Sequence, residues 1–413
     1  MRYIISNASV FDGTGAAPAP ATVVVKGERI AEVLPGSAWP AASEAGDRVI
    51  DGNGGTLMPG LIESHAHLTW PSSIEKIYHQ FVLPPEEMKV AAWRNARVLL
   101  DSGFTSAYSA GALGETIEVE LRTEIAAGRT PGPRLKASTI ERSPQSAGVD
   151  TGDVQHGRGA AAMRAFIAHC RQLGIDSVKL LISGEDALLP GSSQHILYSE
   201  EELAAAAEAA HAAGLWIAAH TQAAEAIKRA VRIGVRILYH CSYADAEALD
   251  LLEANKDRLF VAPAIGVIVA TLEAAPPPHI DMRSMKEMAK PVIENTRRLI
   301  PELKRRGVRV LPGGDYGFPF NPNGTNARDL QHFVELYGYT PGEALMAATK
   351  LGGELLGMGH ELGLVKPGYL ADLLLIDGDP TRDVRLLQER TRISMIMQGG
   401  RLHKAPQRIS AAA

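Results

Sequence analysis

From about residue 57 to 311 the chain alternates short apolar runs with longer helical stretches. The strand-like runs are 57–62, 104–108, 134–138, 177–182, 216–219, 237–239, 259–262 and 308–311. Between them lie the helical stretches 85–100, 160–173, 200–213, 224–233, 246–255 and 285–306. Several stop at a glycine (Gly103, Gly174, Gly214, Gly234, Gly307), the residue that closes helices at φ > 0. Ser199 followed by Glu202 at the third helical position reads as a capping box. Eight strands alternating with helices predict an α/β fold, a parallel sheet closed as a (β/α)8 TIM barrel. An open doubly wound sheet is the alternative. No Gly-x-Gly-x-x-Gly leads from a strand into a helix, so a dinucleotide fold gains no support.

Both ends of the chain read differently. Residues 3–6, 22–26 and 29–33 are β-branched or apolar runs cut by Asp12-Gly13 and Gly27-Glu28. Residues 373–376 and 393–398, then a turn at Gly399-Gly400 and the run 401–403, repeat that character. Two strand-rich ends around a long middle predict a small composite β-sandwich formed by both termini. The expected division is 1–58 and 358–413 for the sandwich and 59–357 for the barrel. Two loops stand out, 139–158 after the third strand and 263–284 after the seventh, the latter with Pro276-Pro277-Pro278. At a barrel's active face such loops form substrate walls or lids; elsewhere they are solvated excursions.

Length agrees with this division, since a barrel takes about 250 residues and the chain has 413. Hydrophobic content of 46% and charged content of 22% are those of an ordinary soluble enzyme. A net charge of −5 with both signs interspersed offers no basic patch for nucleic acid or an anionic membrane. Cys170 and Cys241 have neither disulfide nor zinc-finger spacing. The start lacks an apolar signal region, and no apolar stretch reaches the roughly 18 residues that suggest a spanning helix. A cytoplasmic protein acting on a small molecule is expected.

Six residues at the ends of the strand-like runs carry the candidate chemistry: His65, His67, Lys179, His220, His240 and Asp315. His-x-His on a strand puts both imidazoles on one side, because side chains alternate with period two. Lys179 stands inside an otherwise apolar run, Ile175-Asp176-Ser177-Val178-Lys179-Leu180-Leu181-Ile182. Burial disfavours an ammonium and makes the neutral amine available, which reacts with carbon dioxide to give an anionic carbamate. The plain alternative is a lysine paired with a carboxylate such as Glu185, or one snorkelling to the barrel mouth. His220 and His240 end the next two runs, and neutral imidazole is the commonest metal ligand. Asp315 follows Pro312-Gly313-Gly314, where glycines permit close backbone approach.

These residues resemble the amidohydrolase superfamily. The matching pieces occur in order: Met58-Pro59-Gly60-Leu61-Ile62-Glu63-Ser64-His65-Ala66-His67, Val178-Lys179-Leu180, Ala219-His220, Tyr239-His240 and Gly314-Asp315. Phe11-Asp12-Gly13 and Val365-Lys366-Pro367-Gly368-Tyr369-Leu370-Ala371-Asp372-Leu373 resemble its terminal β-sandwich pieces. The resemblance covers nearly the whole chain. It implies a binuclear centre of two divalent metal ions, usually Zn2+. His65, His67 and Asp315 would hold the inner ion and His220 and His240 the outer one. Carboxylated Lys179 would bridge them, and Asp315 would carry the proton to the leaving nitrogen. The family often forms dimers or larger assemblies, and no feature of the chain decides its own oligomeric state.

Within the superfamily the chain is similar to the prolidase-like and imidazolonepropionase-like group, and to members that cleave phenylureas and thiocarbamates. Three departures from the prolidase-like pattern shape the expected substrate. Thr221-Gln222 stands for the usual Ala-Tyr after the fifth-strand histidine. Gly148-Val149-Asp150-Thr151-Gly152-Asp153 stands for a Gly-His-Gly segment, and His240-Cys241-Ser242 for His-Gly. The first two weaken a dipeptidase reading and favour a neutral amide, anilide, carbamate or urea. The other readings are a dipeptidase or carboxypeptidase, a mononuclear deaminase and an esterase or lactonase. Such deaminases carry a glutamate where Ala223 stands here. Candidate substrate contacts are Tyr108, Gln222, Tyr243, His156 and His195.

Overall fold

A computed structural model describes residues 2–42, 46–71, 84–144, 157–186, 191–276, 281–407 and 409–411. The two ends of the chain meet in one sheet. Its N-terminal strands are β1 (Arg2–Val10), β2 (Ala19–Lys26), β3 (Arg29–Pro35), β4 (Arg48–Asp51) and β5 (Thr56–Pro59). The intervening strands β6 to β12 belong to the middle of the chain. The C-terminal strands are β13 (Leu373–Ile376), β14 (Ile393–Gln398), β15 (Arg401–Lys404) and β16 (Ile409–Ala411). The strand order is β15-β14-β13-β5-β1-β2-β3, with β4 pairing β1 and β16. β5 is the junction, parallel to β1 at Ser9↔Thr56 and antiparallel to β13 at Met58↔Leu374. The expected sandwich is therefore one continuous nine-stranded sheet among the described residues, because β5 hydrogen-bonds to both halves.

This sheet is buried on both faces. Tyr3, Ile5, Val23, Val25, Leu57, Leu373, Leu375, Met395 and Met397 fill its own core. The alternate positions Met58, Leu374, Ile376 and Ile396 join the core of the middle segment. Period-two side-chain alternation thus fastens the sheet to the rest of the molecule.

The middle holds two arcs of parallel strands. β6 (Leu61–Ala66), β7 (Phe104–Ser109) and β8 (Arg134–Lys136) form one. β9 (Ser177–Leu181), β10 (Trp216–Ala223), β11 (Ile237–Tyr243) and β12 (Phe260–Ala262) form the other. Single parallel bridges stand at the seams: Arg142↔Leu180, Val261↔Val310 and Ala66↔Tyr316. The eighth expected strand, 308–311, is reduced to its bridge, bonded by Val261 N to Arg309 O (3.0 Å) and Leu311 N to Val261 O (2.8 Å). Pro312, with no N–H to donate, and two glycines follow it at once.

The expected strand 57–62 is split. Gly60 carries the chain from β5 to β6, donating to Asp372 O at 2.9 Å, while Leu61 N reaches Gly103 O at 3.0 Å. A methyl group on Gly60 would collide with the Thr105 side chain, so the crossing requires glycine. β10 and β11 run four residues further than their apolar stretches, to Ala223 and Tyr243. The expected loop 263–284 contains a helix, Ile265–Glu273, and the next helix spans Arg283–Arg305. Helices Ile117–Ala126, Arg328–Tyr337 and Pro341–Met346 add to those expected. The Ser199–Glu202 capping box is present as read. No helix among the described residues is long and apolar enough to cross a membrane.

Candidate metal centre

One cavity is lined by all six candidate residues, His65, His67, Lys179, His220, His240 and Asp315. His65 and His67 leave β6 on the same side, with ring centroids 5.2 Å apart. His67 Nδ1 donates to the Gly111 carbonyl at 3.0 Å in the tautomer that leaves Nε2 facing the cavity. Asp315 Oδ1 stands 3.1 Å from His67 Nε2 and 3.6 Å from His65 Nε2. The His65 ring stacks on Tyr239 at 3.8 Å, and the Tyr239 hydroxyl donates to Ser64 O at 2.8 Å.

The second half of the site comes from β10 and β11. His220 and His240 have ring centroids 4.2 Å apart, and His240 lies 5.6 Å from His65. Their strands slip register between Thr221 and Ala223, where His240 and Cys241 take φ of 71° and 53°. Those angles are uncommon for such residues and mark a bulge that re-aims the imidazole. His220 Nε2 lies 3.1 Å from Gly184 O and 3.5 Å from Glu185 Oε2.

Asp315 is also held in an unusual backbone conformation, φ 59°. Asn321 Nδ2 donates to the carbonyls of Gly314 (2.9 Å) and Asp315 (3.0 Å). On either side, Asp329 accepts from Gly313 N (3.0 Å) and from the Tyr316 hydroxyl (2.9 Å). Beneath the histidine pair, Glu63 accepts from His65 N (2.9 Å) and Asn326 Nδ2 (2.7 Å). Burial pushes both the Glu63 and Asp329 carboxyls up to about 7.

Lys179 is 2% exposed. Its Nζ donates to Ala110 O at 3.0 Å, lies 3.8 Å from Glu141 Oε2 and sits 4.5 Å over the Tyr239 ring. Its carboxylate neighbour is Glu141, whereas Glu185 pairs with His220. The reason is register. Arg142 bridges to Leu180, so the preceding Glu141 falls beside Lys179. Sequence reasoning missed Glu141 and set Glu185 against the wrong partner. Only the bridge of Arg142 to β9 reveals it, and no apolar run marks that segment.

Electrostatics sort the imidazoles. Burial, then the neighbouring Lys179 charge, pushes His65 well below its usual range and takes His220 down to about 3. Burial, with the charges of His220 and Lys179, does the same to His240. Burial opposes charge at His67 too, but Asp315 outweighs it and raises that pKa. Neutral imidazole is the ligating form. The donor atoms of His65, His240 and Asp315 lie within 4.8 Å of one another, as do those of Glu185, His220 and His240. Asp315 Oδ1 and His65 Nδ1 are buried without a hydrogen-bond partner among the described residues. An N/O donor set so arranged fits a divalent ion of zinc's type.

The candidate substrate contacts fare unevenly. Gln222 lines the cavity, and its Nε2 donates to the Glu185 oxygens at 3.2 and 3.4 Å. Tyr108 does not line it: its hydroxyl pairs with Ser177 Oγ at 2.6 Å and its ring stacks on Trp216, at the start of β10, inside the strand arcs. It sits one position short of the end of β7. Tyr243 is half-buried behind the wall, held by the Ser193 side chain. His195 is exposed in a turn whose carbonyl accepts from Gly184 N. His156 and the segment 148–153 lie outside the described residues. Apolar residues complete the lining: Val267 and Ile268 from a helix inside the expected loop 263–284, and Met285, Met288 and Val292 from the expected helix that follows.

Known proteins resemble this chain over most of its length. The chain is 25% identical to ochratoxinase of Aspergillus niger over 377 residues, covering 85% of this chain and 76% of that protein. It is 24% identical to imidazolonepropionase of Rubrobacter xylanophilus over 416 residues, 93% of this chain and 91% of that one. A Xaa-Pro dipeptidase crystallised with bound methionine shares the fold at a TM-score of 0.86 and 24% identity, covering 98% of this chain and all 100% of that one. A molinate hydrolase (TM-score 0.78, 19% identity, 97% and 94% covered) and phenylurea hydrolase B (0.76, 22%, 97% and 96%) share it too. The sequence profile described as the amidohydrolase family matches residues 56–402, from the junction strand through the histidine pair, Lys179 and Asp315 to β15, so the chain belongs to that family.

Proposed function

We propose that the protein hydrolyses an acyl C–N bond of a neutral small molecule, an amide, anilide, carbamate or urea, at a pair of divalent ions. The observation that carries this reading is the convergence of four imidazoles, Asp315 and Lys179 on one buried cavity. In this reading the two strand arcs and their bridges form one (β/α)8 barrel over 59–357, with 1–58 and 358–413 as the attached β domain. Cys170 and Cys241 are both free and buried, which suits a reducing, cytoplasmic setting.

His65, His67 and Asp315 would hold one ion and His220 and His240 the other. Lys179 would join them as its carbamate: the neutral Nζ bonds to the carbon of CO2 and releases a proton, leaving a two-oxygen anion. Zinc pairs held this way supply hydroxide from water near neutral pH and polarise a carbonyl. Asp315 Oδ1 faces both β6 imidazoles, so it is placed to take a proton there and pass it to the leaving nitrogen. The Asn321 contacts fix its backbone while it does so. Among the described lining residues Lys179 is the sole lysine or arginine, against Glu141, Glu185, Asp186 and Asp315. That balance favours an uncharged substrate over a dipeptide carboxylate.

The test is Asp315→Asn assayed on a panel of anilides, ureas and dipeptides, with bound metal measured alongside. Turnover should fall by at least ~10²-fold. Near-normal rates with full metal content reject the proton-carrying role.

A further inference from the structure

We propose that Glu185 is a further protein ligand of the outer ion, beside His220, His240 and the Lys179 carbamate, and that Gln222 orients it. This rests on the two-ion reading above and adds to it a carboxylate that the sequence pattern does not contain.

Three observations carry it. First, spacing. Two donors each about 2.0–2.1 Å from a tetrahedral zinc stand about 3.3–3.4 Å apart. Glu185 Oε2 and His220 Nε2 are 3.5 Å apart, close to the 3.6 Å between His65 Nε2 and Asp315 Oδ1 at the inner position. The donor atoms of Glu185, His220 and His240 form a compact group, all within 4.8 Å.

Second, fixation. Glu185 follows β9 on a short segment tied to the strand that carries His220. Ile182 N donates to His220 O at 3.1 Å, and Gly184 N to His195 O at 3.0 Å. Gly184 packs so closely on Ser192 that a Cβ there would meet the Ser192 carbonyl oxygen at 2.5 Å. The carboxylate is thus delivered to one place.

Third, orientation. Gln222 N donates to Ser183 Oγ at 2.8 Å, and its side-chain amide reaches both Glu185 oxygens. An amide aimed at a ligating carboxylate is the outer-shell arrangement that tunes metal sites. The neighbouring Asp186 is engaged elsewhere, its Oδ1 accepting from Ser193 N at 2.9 Å. Gln222, read from the sequence as a substrate contact, becomes a positioning residue for Glu185. A second anionic ligand lowers the charge of the outer ion and disfavours a substrate carboxylate beside it.

The test is metal titration of chelator-stripped enzyme with Co2+, reading bound metal by elemental analysis and the two sites by ligand-field absorption. Wild type should take two ions per chain. Glu185→Gln, which keeps shape, should hold one ion as before and the other at least about tenfold more weakly, and Gln222→Ala should weaken that same ion by about tenfold. Retained affinity for the first ion shows that the variants fold. Should Glu185→Gln not fold, Glu185→Asp, which keeps the charge and shortens the reach, must show the same selective weakening. Two ions bound with unchanged affinity and spectrum in Glu185→Gln overturn the ligand role and leave the two-ion reading standing. A wild type holding one ion that Glu185→Gln releases supports the ligand and overturns the pair. A wild type that binds none overturns both.

Discussion

Removing the Asp329 side chain tests how the Asp315 loop is held. Asp329 is 1% exposed in the first turn of the helix Arg328–Tyr337. Its two oxygens accept from Gly313 N and the Tyr316 hydroxyl, one residue beyond either neighbour-side of the Gly314-Asp315 pair. Asp329→Ala leaves both donors buried without an acceptor. Each costs about 1–3 kcal/mol, so the variant should lose about 2–6 kcal/mol. At about 2.1 cal/mol/K per residue, a chain of 413 residues unfolding in one transition has an unfolding entropy of about 0.9 kcal/mol/K. The melting temperature should therefore fall by about 2–7 °C by calorimetry. Asp329→Asn keeps one acceptor oxygen and should lose about half as much. Because Asp315 sits at φ 59°, a conformation its neighbours must maintain, metal affinity should also drop by about 10–100-fold. An alanine variant that melts within about 1 °C of wild type and keeps its metal would refute the idea that this carboxylate holds the loop.

Lys179→Ala should lose bound metal and activity together, and a short carboxylic acid should restore part of both; a metal-replete, active alanine variant removes the carbamate. Chelation should lower the melting temperature by about 5 °C per ion at free metal of 1,000 times Kd, since such binding contributes about 4.1 kcal/mol; an unchanged midpoint speaks against any bound ion. At Glu202 burial opposes charge, but Gly159 N, Ser199 N and Arg158 hold the carboxyl at about 2, below its ordinary 4.5. Its stabilisation is thus complete above about 4.5 and fades as pH falls through 2, so Glu202→Gln should destabilise at pH 7 and progressively less on acidification, as urea midpoints at several pH values will show.

That the six candidate residues share one cavity was legible because each ends or interrupts an apolar run, and such a break in a buried strand needs a reason. Strand lengths were not. β10 and β11 continue through His220-Thr221-Gln222 and His240-Cys241-Ser242 because backbone pairing outlasts the apolar run. The helix Ile265–Glu273 was hidden by its composition, since Ile-Gly-Val-Ile-Val has the β-branched character of a strand. It forms where the chain turns from β12 at Ala264, φ 54°, and Val267 N reaches Gly314 O at 2.8 Å. Tyr108 shares the inward face but sits one layer deeper, bonded to Ser177 two residues before Lys179, and is buried below the cavity. Glu141 and Glu185 lie just past strand ends, where only tertiary pairing fixes which way they face.

Charge balance ties these pieces to metal chemistry. Among the described residues, four carboxylates, Asp315, Glu141, Glu185 and Asp186, line a cavity whose one lysine is Lys179. Burial and the Lys179 charge push three of the four imidazoles there towards the neutral form, and Asp315 Oδ1 and His65 Nδ1 lack a hydrogen-bond partner among the described residues. A buried carboxylate without a counterion is costly, and several together repel one another. The rest of the described lining cannot relieve this, because it holds no other lysine or arginine and is largely apolar, with Val267, Ile268, Met285, Met288 and Val292. Mobile cations can. Two divalent ions bring four positive charges to a site that holds four carboxylates. A carbamate on Lys179, as proposed, would remove its positive charge and supply a fifth anion, so that with both ions bound the cavity would be left mildly anionic. A neutral carbonyl substrate would enter such a site without a charge penalty, whereas a substrate carboxylate would add to its net negative charge.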